Sequence, residues 1–124
     1  MILLDASAWI EFFLESEKFS KTEQIIESEQ ACTSMITFAE IANWCNKNNK
    51  DVSECIKFIK NGSEIINLNE GIIVAAGRLN YERKKKIPKW GMIDSLILAT
   101  AQMYDLTILT KDRDFRDLPN VELL

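Results

Sequence analysis

Residues 1–13 read MILLDASAWIEFF, and this opening decides how the rest of the chain is interpreted. Ile2, Leu3 and Leu4 form a short apolar run, which is typical of a buried strand in a parallel sheet. Asp5 ends the run and is followed by small residues. Open α/β sheets bind ligands beyond the carboxyl ends of their strands, so we expect Asp5 at such an edge. Residues 6–14 predict a helix that is apolar almost all round, and therefore either deeply buried or partly reserved for a partner.

Further apolar runs predict strands at 32–35, 65–66, 106–109 and 121–124, with helices between them. Capping boxes at Ser20–Glu23 and Thr37–Glu40 predict the starts of two of these helices. Strands that alternate with helices imply an α/β fold with a parallel sheet of about five strands, covered by helices on both faces. We expect the first strand to lie near the centre of this sheet.

The composition limits the chemistry. A length of 124 residues predicts a single domain spanning 1–124, with neither a membrane-spanning tract nor a secretion signal. The three cysteines form no CxxC pair and histidine is absent, which argues against a disulfide framework and a zinc site and favours the cytoplasm. Without histidine, the usual base of a Ser or Cys triad is missing. Proton transfer and metal binding must fall to carboxylates, Lys, Tyr or Cys.

Acidic residues recur where the predicted strands end or the adjoining helices begin. Asp5 follows strand one, Glu40 lies one turn into the helix after strand two, and Asp112 and Asp114 follow strand four. Asp94 begins the helix that precedes strand four, among apolar neighbours. Each has a structural explanation as a helix cap, a first-turn acid or a turn former. The joint pattern favours a cluster at one sheet edge.

Clustered carboxylates repel one another, and a hard divalent cation relieves that repulsion. Mg²⁺ and Mn²⁺ prefer oxygen ligands and make bound water easier to deprotonate. A second carboxylate is able to accept the proton, so histidine is not required. This chemistry suits hydrolysis of a phosphodiester, whose anionic oxygens the metal also neutralises.

As a set, these motifs resemble those of PIN-domain ribonucleases, and most closely the small VapC-type toxins of toxin–antitoxin pairs. The motifs are LDASA around Asp5, ITFAEI with Glu40, IDSLILATA with Asp94, and LTKDRDF with Asp112. The resemblance spans the whole chain. It implies a three-layer α/β/α sandwich, Mg²⁺- or Mn²⁺-dependent endoribonuclease activity, a homodimer, and inhibition by a cognate VapB-like antitoxin.

The resemblance also assigns roles. It implies that Asp5 and Asp94 are the main metal ligands, that Asp112 completes the site, and that Glu40 binds metal or orients the attacking water. The residues implied to support them are Ser7, Thr110 and Asp114. Ser95 is a mild departure, because the family often has Ala after this Asp.

Basic residues concentrate in one segment although the net charge is −4. Without the four clustered acids, the chain has 19 − 4 = 15 acidic and 15 basic residues, so the negative net charge is confined to the predicted cluster. The segment is interpreted either as a solvated helix end or as an RNA-binding track. Its candidates are Arg83, Lys84, Lys85, Lys86 and Lys89, with Arg113 and Arg116 as weaker ones.

The aromatic residues leave a second choice open. Trp90 either stacks a base or packs in the core. Among Trp9, Phe12, Phe13 and Trp44, some are expected to line a dimer or antitoxin surface, although all four would also suit the core.

Other functions fit the sequence less well. A phosphatase-like hydrolase with a nucleophilic Asp5 wants a second Asp two residues later, where this chain has Ser7. A receiver domain wants a phospho-accepting Asp after strand three, where this chain has Asn67 and Asn69. A catalytically weak PIN-fold module that binds RNA or a partner stays as the alternative, although it has no reason to keep mutually repelling carboxylates.

Overall fold

The centre of the molecule is a five-stranded parallel sheet in the order β3-β2-β1-β4-β5, so the prediction of a central first strand is confirmed. The computed structural model describes all residues, 1–124. The strands are β1 (Ile2–Leu4), β2 (Ala31–Ser34), β3 (Glu64–Ile66), β4 (Thr107–Thr110) and β5 (Val121–Leu123). Three of these strands, β2, β3 and β4, begin one residue away from the predicted position.

Six α-helices connect the strands and cover both faces of the sheet, which confirms the predicted α/β/α sandwich. They are α1 (Ala6–Phe13), α2 (Phe19–Glu27), α3 (Thr37–Lys47), α4 (Val52–Gly62), α5 (Glu70–Lys84) and α6 (Met92–Tyr104), and a short 3₁₀ helix spans Arg113–Phe115. No helix is long and apolar enough to cross a membrane.

Successive residues of β1 pack into two separate hydrophobic cores. Leu3 packs with residues of α5 and α6, whereas Leu4 packs with residues of α1, α3 and α4. Both leucines are fully buried. Side chains of successive strand residues point to opposite faces, so the apolar run holds β1 between two helical layers. This anchoring fixes where the strand ends and therefore where Asp5 lies.

The two predicted capping boxes are wrong. Helix α2 begins at Phe19, after Lys18, with no side-chain cap, because the ring of Phe19 stacks on Phe12 with 5.0 Å between centroids and packing sets this first turn. Thr37 is already inside α3, and its Oγ1 has no hydrogen-bond partner. Capping therefore does not explain Glu40.

Two of the three tryptophans belong to the cores. Trp9 and Trp90 are 0% exposed, and the Nε1 of Trp90 donates to Ser95 Oγ at 2.7 Å. Trp90 is therefore a core residue rather than a base-stacking one, because the indole has no free face. Ser95, the departure from the family motif, supplies the hydrogen-bond partner that a buried indole N–H needs.

Candidate functional site

Asp5 occupies the end of the central strand and is held there by two elements. Its Oδ1 accepts the Ala6 N–H at 2.8 Å, which caps α1. Its Oδ2 accepts the hydroxyl of Thr110 at 2.8 Å and that of Ser7 at 3.4 Å. The residue is 8% exposed, and this burial raises the pKa of its carboxyl group despite the hydroxyl donors. Capping and site formation are therefore combined in one residue.

Thr110 and Ser7 also position the loop that carries Asp112. The Asp112 N–H donates to Thr110 Oγ1 at 3.0 Å, and the Lys111 N–H donates to Ser7 Oγ at 2.9 Å. Asp112 in turn accepts the Asp114 N–H at 2.9 Å and thereby caps the 3₁₀ helix. The two hydroxyls thus link the ends of β1 and β4 to the loop backbone.

Asp94 lies at the third position of α6. Its Oδ2 accepts the Gly91 N–H at 3.1 Å, so it caps the helix as well as facing the acidic cluster. Burial raises its pKa to about 6, against the lowering effect of Gly91 and with the help of the charges of Asp112 and Asp5. A carboxyl group that is hard to ionise in isolation favours a neighbouring cation.

Glu40 is the acid of the cleft that combines a raised pKa with a buried oxygen that has no hydrogen-bond partner. Burial, followed by the charges of Asp5, Asp94 and Asp112, raises its pKa to about 7. Its Oε1 is buried and has no hydrogen-bond partner. Buried carboxylate oxygens are normally satisfied, so this one calls for a proton or a ligand.

The four predicted acids meet in a single cleft of about 340 Å³ at the carboxyl edge of the sheet. Its lining consists of Asp5, Ala6, Ser7, Ile10, Glu40, Asn43, Trp44, Lys47, Asp94 and Asp112. Asp114 lies outside this lining, and its Oδ2 is 3.5 Å from the Nζ of Lys89. The structure therefore brings together the four principal acids and Ser7, with Thr110 behind them and Asp114 to one side.

The acidic side chains of the cleft are of the chemical type that binds a hard divalent cation. Carboxylate oxygens are the preferred ligands of Mg²⁺ and Mn²⁺, and the free Oε1 of Glu40 is one such oxygen. As they stand, however, no three acidic side chains are close enough together to hold a metal ion. Binding would require side-chain rotation toward a common point.

The basic segment divides into one structural residue and a set of exposed lysines. The guanidinium of Arg83 lies 4.1 Å from the centroid of the Trp90 ring and pairs with Asp117 at 3.0 Å. It also donates to the carbonyl of Asp114 at 2.8 Å, and its side chain is 10% exposed. The guanidinium of Arg83 is therefore largely occupied by contacts within the protein and offers little surface to RNA. The lysines of the segment, Lys84, Lys85, Lys86 and Lys89, are exposed.

Sequence reasoning missed the side of the cleft that α3 forms. Glu40, Asn43 and Lys47 follow an i, i+3, i+7 spacing, which places them on one helical face. That spacing could have been recognised in the sequence once Glu40 was assigned to the site.

The sequence also did not predict the ion pair between Lys111 and Glu11 at 2.5 Å, which joins the Asp112 loop to α1. Residues 100 positions apart give no local signal of such a contact.

A second hollow, of about 460 Å³, lies beside β3 and is distinct from the acidic cleft. Glu64 is its only acidic residue, and burial raises the pKa of its Cys32 thiol to about 11. A thiol held in its neutral form is a poor nucleophile and metal ligand. The acidic cleft is therefore the better candidate for chemistry.

Comparisons with solved structures agree with the fold. A toxin–antitoxin complex from Klebsiella pneumoniae contains a chain that is 26% identical, with a TM-score of 0.78 over 98% of this chain and 96% of that one. VapBC2 from Rickettsia felis, bound to a promoter DNA fragment, is 22% identical, with a TM-score of 0.77 over 100% and 98%. VapC20 from Mycobacterium tuberculosis, a Sarcin-Ricin loop cleaving toxin, is 13% identical, with a TM-score of 0.80 over 99% and 98%.

No curated protein sequence matches the chain significantly. The family model for the PIN domain matches residues 2–121, which contain every acidic residue of the cleft and all but the last few residues of the sheet. The motifs in the sequence, the order of the strands and the family match agree with one another. The chain belongs to the PIN domain family.

Proposed function

We propose that this protein is a Mg²⁺-dependent endoribonuclease, with Mn²⁺ as a substitute, and that it is the toxin of a VapBC-type toxin–antitoxin pair. The observation that carries the proposal is the convergence of four carboxylates in one cleft, one of them with a buried oxygen that has no partner. Membership of the PIN family supports nuclease activity.

Each cleft residue has a role in this proposal. Asp5 and Asp94 would hold the metal, and Asp112 would complete the site. Bound Mg²⁺ supplies positive charge next to the scissile phosphate and lowers the pKa of water. Glu40, whose pKa is raised to about 7 in the metal-free cleft, would orient the attacking water or accept its proton. Ser7 and Thr110 keep Asp5 oriented through their hydroxyls.

RNA as substrate is supported by one structural relative and by the charge distribution. VapC20 of Mycobacterium tuberculosis is a toxin that cleaves the Sarcin-Ricin loop. Four exposed lysines follow each other between 84 and 89, and Lys89 reaches the loop of Asp114 next to the cleft. A phosphate backbone that binds these lysines would be led toward the acids. Lys84, Lys85, Lys86 and Lys89 are therefore the proposed phosphate contacts.

An antitoxin partner is supported by relatives and by an exposed aromatic patch. The structures from Klebsiella pneumoniae and Rickettsia felis are both complexes of a toxin with its antitoxin. On this chain the rings of Phe12 and Phe13 pack against Phe58, which is 44% exposed, and Leu14 nearby is 53% exposed. We define the aromatic patch as Phe12, Phe13, Leu14 and Phe58. Such a surface is costly to leave in water and suits an apolar segment of a partner.

The position of the aromatic patch also suggests how an antitoxin would inhibit. Phe13 stacks on Trp44 with 6.3 Å between ring centroids, and Trp44 lines the acidic cleft. A protein seated on the patch would therefore lie next to the cleft and would be placed to block RNA.

A homodimer stays a prediction, and helix α5 offers a surface for it. Ile73, Val74 and Tyr81 are 53%, 68% and 68% exposed on this helix, while Ile72, Ala76 and Leu79 face the core. Apolar residues on the outer side of a helix are typical of a contact with another chain.

The proposal is tested by incubating purified protein with structured and single-stranded RNAs, with Mg²⁺, with Mn²⁺ and with EDTA. Asp5→Asn and Asp94→Asn keep the size of the side chain but remove its charge, and Lys50→Gln serves as an exposed control outside the cleft. We expect metal-dependent cleavage by the wild type and the control only. Cleavage that survives EDTA or both substitutions would contradict the mechanism. RNA binding without cleavage would favour the catalytically weak PIN-fold module.

A further inference from the structure

The cleft has a second half that the proposed chemistry does not use. Its acids come from the ends of β1 and β4 and from the first turns of α3 and α6, whereas Asn43, Trp44 and Lys47 continue the lining along α3. At a rise of 1.5 Å per residue, Lys47 lies about 10 Å along the helix axis from Glu40. The cleft volume of about 340 Å³ is in the range of small-ligand pockets.

The side chains of this half suit a nucleotide. Trp44 is partly exposed, and its ring is held nearly parallel to that of Phe13, at an interplanar angle of 18°. A fixed indole that borders a cleft offers a flat surface on which any base is able to stack. Lys47 is exposed and forms no salt bridge within the chain. Its charge therefore stays available for a phosphate.

A polar residue lies between these two features. Asn43 is exposed on the cleft wall and makes no side-chain hydrogen bond within the protein. An amide carries both a donor and an acceptor, which match the edge of a base. The order along α3 is therefore a carboxylate, an amide, an indole and an ammonium group, all bordering one cleft.

We propose that Asn43, Trp44 and Lys47 form a nucleotide subsite next to the catalytic acids, in which a base stacks on Trp44 and a flanking phosphate contacts Lys47. This subsite holds a nucleotide beside the scissile bond of a single-stranded RNA segment. It rests on the proposed function, because the same cleft must hold the reacting phosphate. A partner protein would compete for the same surface, since Trp44 adjoins the aromatic patch.

The first test uses intrinsic fluorescence. Trp9 and Trp90 are 0% exposed, so a ligand that touches a tryptophan face in this chain reaches Trp44 alone. A short single-stranded RNA is titrated into the Asp5→Asn variant in EDTA, where the proposed chemistry is off. We expect quenching of the emission, and we expect Trp44→Phe in the same background to abolish that quenching.

The second test uses the kinetics of RNA cleavage by the otherwise wild-type enzyme. Trp44→Ala should raise KM by roughly 5- to 100-fold, with kcat little changed, since base stacking on an aromatic ring has about that effect on binding. Trp44→Phe should restore most of the affinity. For RNA binding, Lys47→Gln should reduce the slope of log K against log salt concentration by about 0.7, because one phosphate contact is lost. Lys50→Gln, three positions further along and outside the cleft, should leave this slope unchanged.

The outcomes separate the two proposals. If the enzyme cleaves RNA but RNA leaves the fluorescence unchanged and Trp44→Ala keeps the KM of the wild type, the subsite is overturned. Trp44 would then be assigned to the contact with a protein partner. If RNA quenches Trp44 but no preparation cleaves RNA, the subsite stands and the proposed nuclease activity fails.

Discussion

Thr110 donates a hydrogen bond of 2.8 Å to the Oδ2 of Asp5, a residue 105 positions earlier in the chain. Asp5 directly follows β1 and Thr110 ends β4, and these two strands are neighbours that pair in parallel register from Ile2–Thr107 to Leu4–Leu109. The same hydroxyl accepts the N–H of Asp112. One side chain thus sets the relative position of two acids that the sequence keeps far apart.

Replacing Thr110 by Val should impair activity far more than stability. The substitution keeps the shape of the buried side chain but removes the hydroxyl that orients Asp5. Loss of such a supporting hydrogen bond to a metal ligand typically costs roughly 10- to 100-fold in metal affinity or activity. Steady-state RNA cleavage at several Mg²⁺ concentrations would measure it. Thr110→Ser retains the hydroxyl and should stay close to the wild type; equal activity of both variants would contradict the role.

Glu40 should destabilise the metal-free protein at alkaline pH. Its pKa is about 7 in the folded state against an ordinary 4.5, so the folded protein binds this proton more tightly than the unfolded chain does. Stability is then fully present below pH 4.5 and declines as the pH rises through about 7. Glu40→Gln should therefore raise the Tm at pH 8 in EDTA by a few degrees and leave it unchanged near pH 4.5.

Thermal unfolding monitored by circular dichroism would measure this difference. Glu17→Gln, which removes an exposed carboxylate outside the cleft, serves as the control and should shift the Tm at neither pH. A lower Tm for Glu40→Gln at pH 8 would show that the carboxylate is stabilising and would refute the prediction. Saturating Mg²⁺ should reduce the advantage of the variant, since a bound cation offsets the repulsion among the acids.

Much of this arrangement was predictable, because the features that build it are local. The apolar run before Asp5 and the carboxylates at the other strand ends predicted the sheet and the acidic cluster. What the sequence did not indicate depends on packing. The entry of the chain into α2 depends on the stacking of Phe19 on Phe12, and the burial of Trp90 depends on its hydrogen bond to Ser95.

The basic segment shows the same limit. Arg83 and the lysines that follow it are indistinguishable as a run of charge. The structure separates them by burial, since the Arg83 side chain is 10% exposed and packs on Trp90, whereas Lys86 and Lys89 contact loop acids but stay 72% and 78% exposed. The hydrogen bond from Arg83 lowers the pKa of Asp117 to about 2. Whether a cation binds RNA or supports the fold depends on the partners that surround it.

Arg83→Gln should therefore destabilise the protein, and Lys85→Gln should not. Arg83 makes charge-assisted hydrogen bonds to Asp117 and covers the Trp90 ring, so its loss should cost about 1–3 kcal/mol. An exposed lysine is usually worth less than about 0.5 kcal/mol. Urea unfolding of both variants would measure the difference. Equal free energies of unfolding would mean that the ion pair contributes nothing and that Arg83 is free for RNA.

Neutralising Lys84, Lys85 and Lys86 together should weaken RNA binding in a salt-dependent way. Each phosphate contact contributes about 0.7 to the slope of log K against log salt for a single strand. The triple Gln variant should therefore lose up to about 2 from that slope, as measured by fluorescence anisotropy with labelled RNA. The matched control replaces Lys50, Lys57 and Lys60 by Gln, since these exposed lysines lie outside the segment. A similar loss in both variants would indicate a general charge effect.

Substituting Phe58 and Leu14 by Ser should separate antitoxin binding from catalysis. Both side chains belong to the aromatic patch and neither lines the cleft. Removing apolar surface that a partner would bury should weaken the complex by roughly 10-fold or more, while RNA cleavage stays intact. The measurement is rescue in growing cells: co-expressed antitoxin should suppress the toxicity of the wild type but not that of the double variant. Met103→Ser on α6 is the control, because it removes exposed apolar surface elsewhere and should still be rescued. Rescue of the double variant would mean that the antitoxin binds a different surface.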